Sequence, residues 1–126
     1  TLKAFNEALS FPGTSIIIAY SNCISHGINM SVGPDIAKLA NDTGYWLCYR
    51  YDPRLIAQKK NPLQLDTKDI KTNLMDYLNK ERRFKTLMEK APEAAAKLNS
   101  DLEKFIKNRL NYYKKMSSMS YEDFEI

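Results

Sequence analysis

The run Tyr20-Ser-Asn-Cys-Ile-Ser-His-Gly-Ile-Asn-Met30, directly behind the apolar stretch Ile16-Ile17-Ile18-Ala19, decides how this chain is read. Residues 15 to 20 form a continuous β-branched run rather than an alternating one, which is the pattern of a strand covered on both faces. Such a strand needs neighbours that this chain does not obviously supply. Cys23 then falls on a turn just past the strand's carboxyl end, with His26 and Gly27 close behind. Ligands in open α/β sheets bind at that end of the strands, so a soft ligand there points to a cofactor site whose other parts lie elsewhere. The competing reading of Cys23 is a small buried thiol, which is how most free cysteines pack.

Working outward, residues 2 to 10 predict a short helix with Leu2, Phe5, Ala8 and Leu9 on one face, ended by Pro12-Gly13. Gly33-Pro34-Asp35 opens a second helix, because proline suits the first helical position and aspartate the positive end of the helix dipole. Ile36, Leu39 and Ala40 form its inner stripe, and it stops near Gly44. Tyr45 to Tyr51 reads as extended, Asp52-Pro53 closes it, and Leu63-Gln-Leu65 behind Asn61-Pro62 supplies a second short strand, together a hairpin. From about Thr72 the chain turns helical. One stripe is Leu74, Tyr77, Leu78, Phe84, Leu87 and Met88; Ala91-Pro92 interrupts it. The second stripe is Ala94, Leu98, Leu102, Phe105, Ile106, Leu110 and Tyr113. The expectation is an α/β chain with one buried strand, a short extended hairpin and a helical carboxyl-terminal half of two packed helices. Its divisions are 1–68, a helical pair at 69–116 and a frayed acidic tail at 117–126.

With 126 residues, 44% hydrophobic and 27% charged, the chain has the size and composition of a single globular unit. No run approaches the roughly 18 apolar residues of a membrane span, and the amino end has no signal-peptide core. The chain opens on Thr1, as a processed protein or a piece of a longer one would. Two cysteines, Cys23 and Cys48, are too few for a secreted disulfide framework and fit reduced thiols in a cytosol-like compartment. They form no Cys-x-x-Cys pair, so no complete metal site can be assembled from them. The formal net charge is +4. Between Lys80 and Lys115 eleven Lys/Arg face five acids, a helical surface that could meet an acidic partner or a nucleic acid, or simply be solvated.

Other candidates carry less chemistry. His26, the sole histidine, fits a hydrogen-bonded turn better than a nucleophile–base pair with Cys23, whose partners are usually distant in sequence. Gly27 is expected to supply positive φ or a close backbone approach. Tyr45, Trp46, Tyr49 and Tyr51 could stack on bases but, with only Arg50 interleaved, read as packing residues. The acids are dispersed, and four glycines leave little room for a phosphate loop.

At Cys23 the chain also resembles a known family. Ile17-Ile-Ala-Tyr-Ser-Asn-Cys-Ile-Ser-His-Gly-Ile28 is similar to a segment near the carboxyl end of the pyruvate:ferredoxin (flavodoxin) oxidoreductases. Leu39-Ala40 followed by Gly44-Tyr-Trp-Leu-Cys-Tyr-Arg-Tyr-Asp-Pro53 resembles the family's aromatic block. Asn61-Pro-Leu-Gln-Leu-Asp-Thr-Lys68 resembles its next loop, and Glu81-Arg-Arg-Phe-Lys-Thr-Leu87 its late helix. The four blocks keep the family's order and approximate spacing over residues 1 to about 115. Cys48 stands where the family usually has an aliphatic residue, and Leu47 where proline is common; Cys48 is expected to be a packed thiol.

The resemblance implies a large multidomain enzyme that decarboxylates pyruvate with thiamine diphosphate and Mg2+. It passes electrons through [4Fe-4S] clusters to ferredoxin or flavodoxin and hands the acetyl group to coenzyme A. It implies that Cys23 is the last of four cysteine ligands of the cluster nearest the thiamine, and that the other three, with the thiamine and magnesium site, lie in other parts of the enzyme. A thiolate is the usual cluster ligand, and a remote fourth cysteine is a known arrangement. The chain is then the terminal part of the thiamine-diphosphate-binding domain, inactive alone. Its partners are the remainder of the same enzyme, as a homodimer, in a cytoplasmic or other reducing, anaerobic compartment, with neither membrane nor nucleic acid. The alternative is a stand-alone interaction module docking an acidic partner or nucleic acid through its basic helices.

Overall fold

A computed structural model describes residues 2–123. Five α-helices and one two-stranded sheet make up its regular structure: α1 Leu2–Ser10, α2 Gly33–Asp42, β1 Tyr49–Tyr51, β2 Leu63–Leu65, α3 Leu74–Leu78, α4 Arg82–Lys90 and α5 Pro92–Ser117. The expected tail begins past Ser117, and its last residues, 124–126, lie outside the described residues.

Local chemistry accounts for the boundaries. Pro34 in the first turn of α2 costs no helical hydrogen bond, and Asp35 faces the positive helix end. The helix stops because Gly44 adopts φ +75°, and Trp46 N–H donates back to the Ala40 carbonyl at 2.9 Å. A Cβ at Gly44 would lie 2.9 Å from Ile106 Cγ2, so the turn also lets α5 approach α2 closely. β1 and β2 pair antiparallel, with Tyr49 opposite Leu65 and Tyr51 opposite Leu63, the expected hairpin. Between them Pro53–Gln58 forms a 3-10 turn capped by Asp52.

The core gathers Ile28, Ile36, Ala40, Leu74, Tyr77, Leu78 and Ile106, with Tyr20, Tyr45, Trp46 and Phe84 packed against it. It therefore lies between α2, α3 and α5, and Ile28 brings the 20–30 run to its edge. Tyr45 and Trp46 pack there as expected, whereas Tyr51 is exposed and Tyr49 stacks on Tyr113 with ring centroids 4.8 Å apart.

Four expectations are corrected. The buried strand is absent: residues 14–23 carry no regular structure, and Ile16 and Ile18 are 83% and 75% exposed. A strand requires a ladder partner, and the described sheet contains only β1 and β2. The apolar face of α1 is likewise uncovered: Leu2, Phe5 and Leu9 are exposed, and the helix is held by its polar side. There Arg50 Nη1 donates to Glu7 at 2.6 Å and Arg54 Nη1 to the Ser10 carbonyl at 2.9 Å. The first of the two carboxyl-terminal stripes is broken into α3 and α4, because Glu81 leaves helical geometry at φ −109°, ψ 128°. Finally, α5 buries Ala95, Ile106 and Leu110 while Ala94, Leu98 and Phe105 face outward. The buried positions run from the first turn of the helix to Leu110, so the exposed residues lie on a different face of the same length of helix.

Candidate functional site

The 20–30 run is an ordered loop built from short caps. Cys23, extended at φ −129°, ψ 140°, caps the 3-10 turn Ile24–His26: Ser25 N–H donates to its sulfur at 3.4 Å, and His26 N–H to its carbonyl at 3.0 Å. Gly27 ends the turn at φ +70°. Its Cα also sits against α4, since a Cβ there would fall 2.3 Å from Arg82 Cβ. Both expectations for this glycine hold. Asn29 caps the next turn through Ser31 N–H at 3.0 Å, and Asn22 Nδ2 ties the loop to the Gly33 carbonyl at 2.5 Å.

Cys23 is exposed, and hydrogen bonding from Ser25, its side chain first and its backbone N–H second, draws the thiol pKa below its ordinary value. An exposed sulfur with a lowered pKa suits a metal ligand better than a packed thiol does. Cys48 is also exposed, which corrects the packed thiol expected there; its sulfur accepts from Asn41 Nδ2 at 3.3 Å. Among the described residues no three His, Cys, Asp or Glu side chains come together as a metal site. The donor set therefore fits one corner of a shared cluster and cannot hold one by itself. Two shallow surface hollows of about 220 and 300 Å3 lie at residues 65–71 and Lys114, clear of the cysteine turn.

Beneath the turn lies a feature that residue spacing did not reveal. Glu81 is fully buried at 0% exposure. Its Oε1 accepts from Tyr77 at 2.7 Å and from Tyr20 at 3.2 Å, and the two tyrosine hydroxyls are 2.5 Å apart. Its Oε2 accepts from Arg83 Nε. His26 Nδ1 faces the same carboxylate from 3.9 Å, beyond hydrogen-bond reach and without another partner. The histidine sits in a hydrogen-bonded turn, as expected, and the bond is made by its backbone N–H. Burial raises both tyrosine pKa values, helped by the Glu81 carboxylate and, at Tyr20, against the opposing hydrogen bond with Tyr77, so both hydroxyls stay protonated and able to donate. Burial opposes the Arg83 charge, but the Glu81 carboxylate more than offsets it and raises that pKa. The one available signal was Tyr77 four residues before Glu81, a spacing that places both on one helical face.

Part of the basic face is engaged within the chain. Arg109 Nη2 donates to the Gly44 and Tyr45 carbonyls at 2.8 Å each, Lys114 pairs with Asp69 at 2.8 Å and Lys107 with Glu103 at 2.7 Å.

No protein-family model matches the chain. Its sequence relatives are informative. It is 46% identical over 118 residues to a pyruvate-flavodoxin oxidoreductase of Trichormus variabilis, covering 94% of this chain and 10% of the relative. It is 43% identical over 116 residues to the pyruvate:ferredoxin oxidoreductase of Moorella thermoacetica, covering 92% and 10%. It is 42% identical over 117 residues to a mitochondrial pyruvate dehydrogenase [NADP(+)] of Euglena gracilis, covering 91% and 6%. The chain matches a segment of the pyruvate-flavodoxin/ferredoxin oxidoreductases. It spans about a tenth of the length of the first two of these relatives. Among its described residues no helix is long and apolar enough to cross a membrane.

Proposed function

We propose that this chain contributes one cluster ligand, Cys23, to a pyruvate:flavodoxin/ferredoxin oxidoreductase, as the terminal part of its thiamine-diphosphate-binding domain. The observation that carries the reading is the state of Cys23: an exposed sulfur of lowered pKa on a capped turn, in a chain matching such enzymes over nearly its whole length. A [4Fe-4S] cluster bound there supplies one-electron transfer. Cys23 is its anionic ligand, the Ser25 N–H moderates the charge on that sulfur, and the Asn22–Gly33 contact fixes the loop. The remaining ligands, the thiamine diphosphate and the Mg2+ belong to the rest of the enzyme, as do the sites for pyruvate, coenzyme A and the electron acceptor.

The exposed Ile16–Ala19 stretch supports the same reading. Apolar β-branched residues ending at a ligand turn are covered when neighbouring strands of the larger domain pair with them. An independent module docking an acidic partner or nucleic acid is less well supported, because the chain matches a segment of these oxidoreductases over nearly its whole length.

The test is Cys23→Ala in the full-length enzyme, purified anaerobically. Iron and acid-labile sulfide should fall by one cluster's worth and electron delivery to the acceptor should stop. Iron content equal to the parent's would sink the ligand assignment. His26→Ala, which removes a ring with no hydrogen bond, should keep the iron.

A further inference from the structure

A buried carboxylate is costly unless its oxygens are satisfied. Glu81 receives two hydroxyls and a guanidinium, and that network is placed in one spot only, under the cysteine turn. Stability alone does not explain it. Apolar side chains of similar volume at such positions are often as stable or more so, and the surrounding core of Tyr77, Leu78 and Phe84 would accept one. What a polar cluster provides and an apolar patch does not is a directed hold on particular atoms.

The atoms it holds bracket Cys23. Tyr20, three residues before the cysteine, donates to Glu81 Oε1 at 3.2 Å and meets the Tyr77 hydroxyl at 2.5 Å. Gly27, four residues after it, lies so close to Arg82 that no Cβ fits between them. Between these points the His26 ring faces the Glu81 carboxylate. Glu81 and Arg82 are adjacent, and Glu81 is where the chain breaks between α3 and α4. The break therefore has a purpose: it turns Glu81 inward while the next residue meets the glycine.

We infer that Glu81 is the positioning residue for Cys23, and that the Glu81-Arg82 corner clamps both ends of the ligand turn. The inference rests on the reading of Cys23 as a cluster ligand. The clamp acts on the cluster through geometry. It keeps the Ser25 N–H on the Cys23 sulfur, and hydrogen bonds to ligand sulfurs set how readily a cluster accepts an electron. Loosening the clamp weakens that bond, leaves more negative charge unbalanced on the sulfur and makes reduction harder.

The experiment uses the full-length enzyme with its clusters in place. Glu81→Met removes the carboxylate at nearly constant volume, Glu81→Gln keeps an acceptor for the tyrosines, and Tyr20→Phe cuts the tie on one side only. Leu110→Ala, a buried α5 side chain away from the turn, serves as a variant that loses stability for other reasons. Iron content, the electron paramagnetic resonance spectrum of the reduced enzyme and its redox titration are read on each. Glu81→Met should retain iron but shift the spectrum and move the midpoint of one cluster to more negative potential. Tyr20→Phe should shift both in the same direction by less, Glu81→Gln should restore most of the parental signal, and Leu110→Ala should leave both unchanged. Parental spectra and potential in Glu81→Met overturn the clamp, as does the same shift in Leu110→Ala. If Glu81→Met does not accumulate folded, Tyr20→Phe decides alone, and a parental midpoint there overturns it. If Cys23→Ala keeps its full iron, the ligand reading fails and the clamp with it; if Cys23→Ala loses the cluster while the Glu81 and Tyr20 variants are parental, only the clamp fails.

Discussion

The two flanks of the cysteine turn are built to opposite standards. On the carboxyl-terminal flank, Ile28 and the α2–α3–α5 core are closed, and even a carboxylate is buried with its oxygens occupied. On the amino-terminal flank, Leu2, Phe5 and Leu9 of α1 and Ile16 and Ile18 beyond it face outward, and polar side-chain contacts tie α1 to the hairpin. The same class of residue is thus completed on one side and left unfinished on the other. A closed core states how this segment folds, whereas an open apolar surface states that a further body is required, and Cys23 sits on the boundary between them.

The contrast breaks most visibly by truncating the closed side. Leu78 is fully buried, so Leu78→Ala should cost about 2–5 kcal/mol, read as a lower denaturation midpoint at unchanged slope. A loss below about 1 kcal/mol would mean that the α2–α3–α5 core is not the stabilising centre. Next comes the boundary itself. Gly27→Ala places a side chain at φ +70° and against Arg82, and should cost roughly 1–3 kcal/mol; a neutral effect would show that the turn does not rest on α4. On the open side the prediction depends on context. Ile18→Ser in the separate chain should change stability by no more than about 0.5 kcal/mol, as for any exposed position. In the full-length enzyme the same substitution should lower the thermal midpoint clearly. Equal, negligible effects in both would show that nothing covers this stretch.

The closed side was legible where local signals and burial agree: Pro34 and Asp35 opening α2, Gly44 ending it, and the hairpin between Tyr49 and Leu65. The break at Glu81 was not legible, because Tyr77, Glu81 and Phe84 continue the helical spacing straight through it; only the tertiary contact with Tyr20 distinguishes a buried carboxylate from a solvated one. The phase of α5 was lost for a related reason, since Leu98 and Phe105 satisfy the periodicity while no partner covers them. Ile16 to Ala19 was read correctly as apolar and β-branched, yet a strand is a property of a pair of backbones, and the second backbone is not among the described residues. Cys23 could be singled out from its residue type and its place behind an apolar run, whereas its anchor depends on residues 57 and 61 positions further along from Tyr20.

The smallest effect concerns the polar hold on α1. Arg50 reaches Asp66 through Nε and Nη2 at 2.8 Å each and Glu7 through Nη1 at 2.6 Å, so one guanidinium joins the helix to the hairpin. Hydrogen bonding from Arg50 lowers the Asp66 pKa below its ordinary value of 3.8, against the opposing effect of burial. A carboxylate with a depressed folded pKa stabilises the fold above its unfolded value, and that contribution disappears as pH falls through the folded value. The Asp66 side chain is 44% exposed, so the pair is screened and worth only about 0.2–1 kcal/mol. The loss should therefore begin just below pH 4 and fall on α1 rather than on the core. Hydrogen exchange at the α1 amides, compared between neutral pH and pH 3 after correction for intrinsic rates, should show α1 losing protection while α2 and α5 keep theirs. Asp66→Asn should reproduce part of that loss at neutral pH, and about 1 M salt should diminish the parent's protection in the same place. If α1 and the core lost protection together, the two flanks would be one cooperative unit, and the contrast between a finished and an unfinished side would not survive.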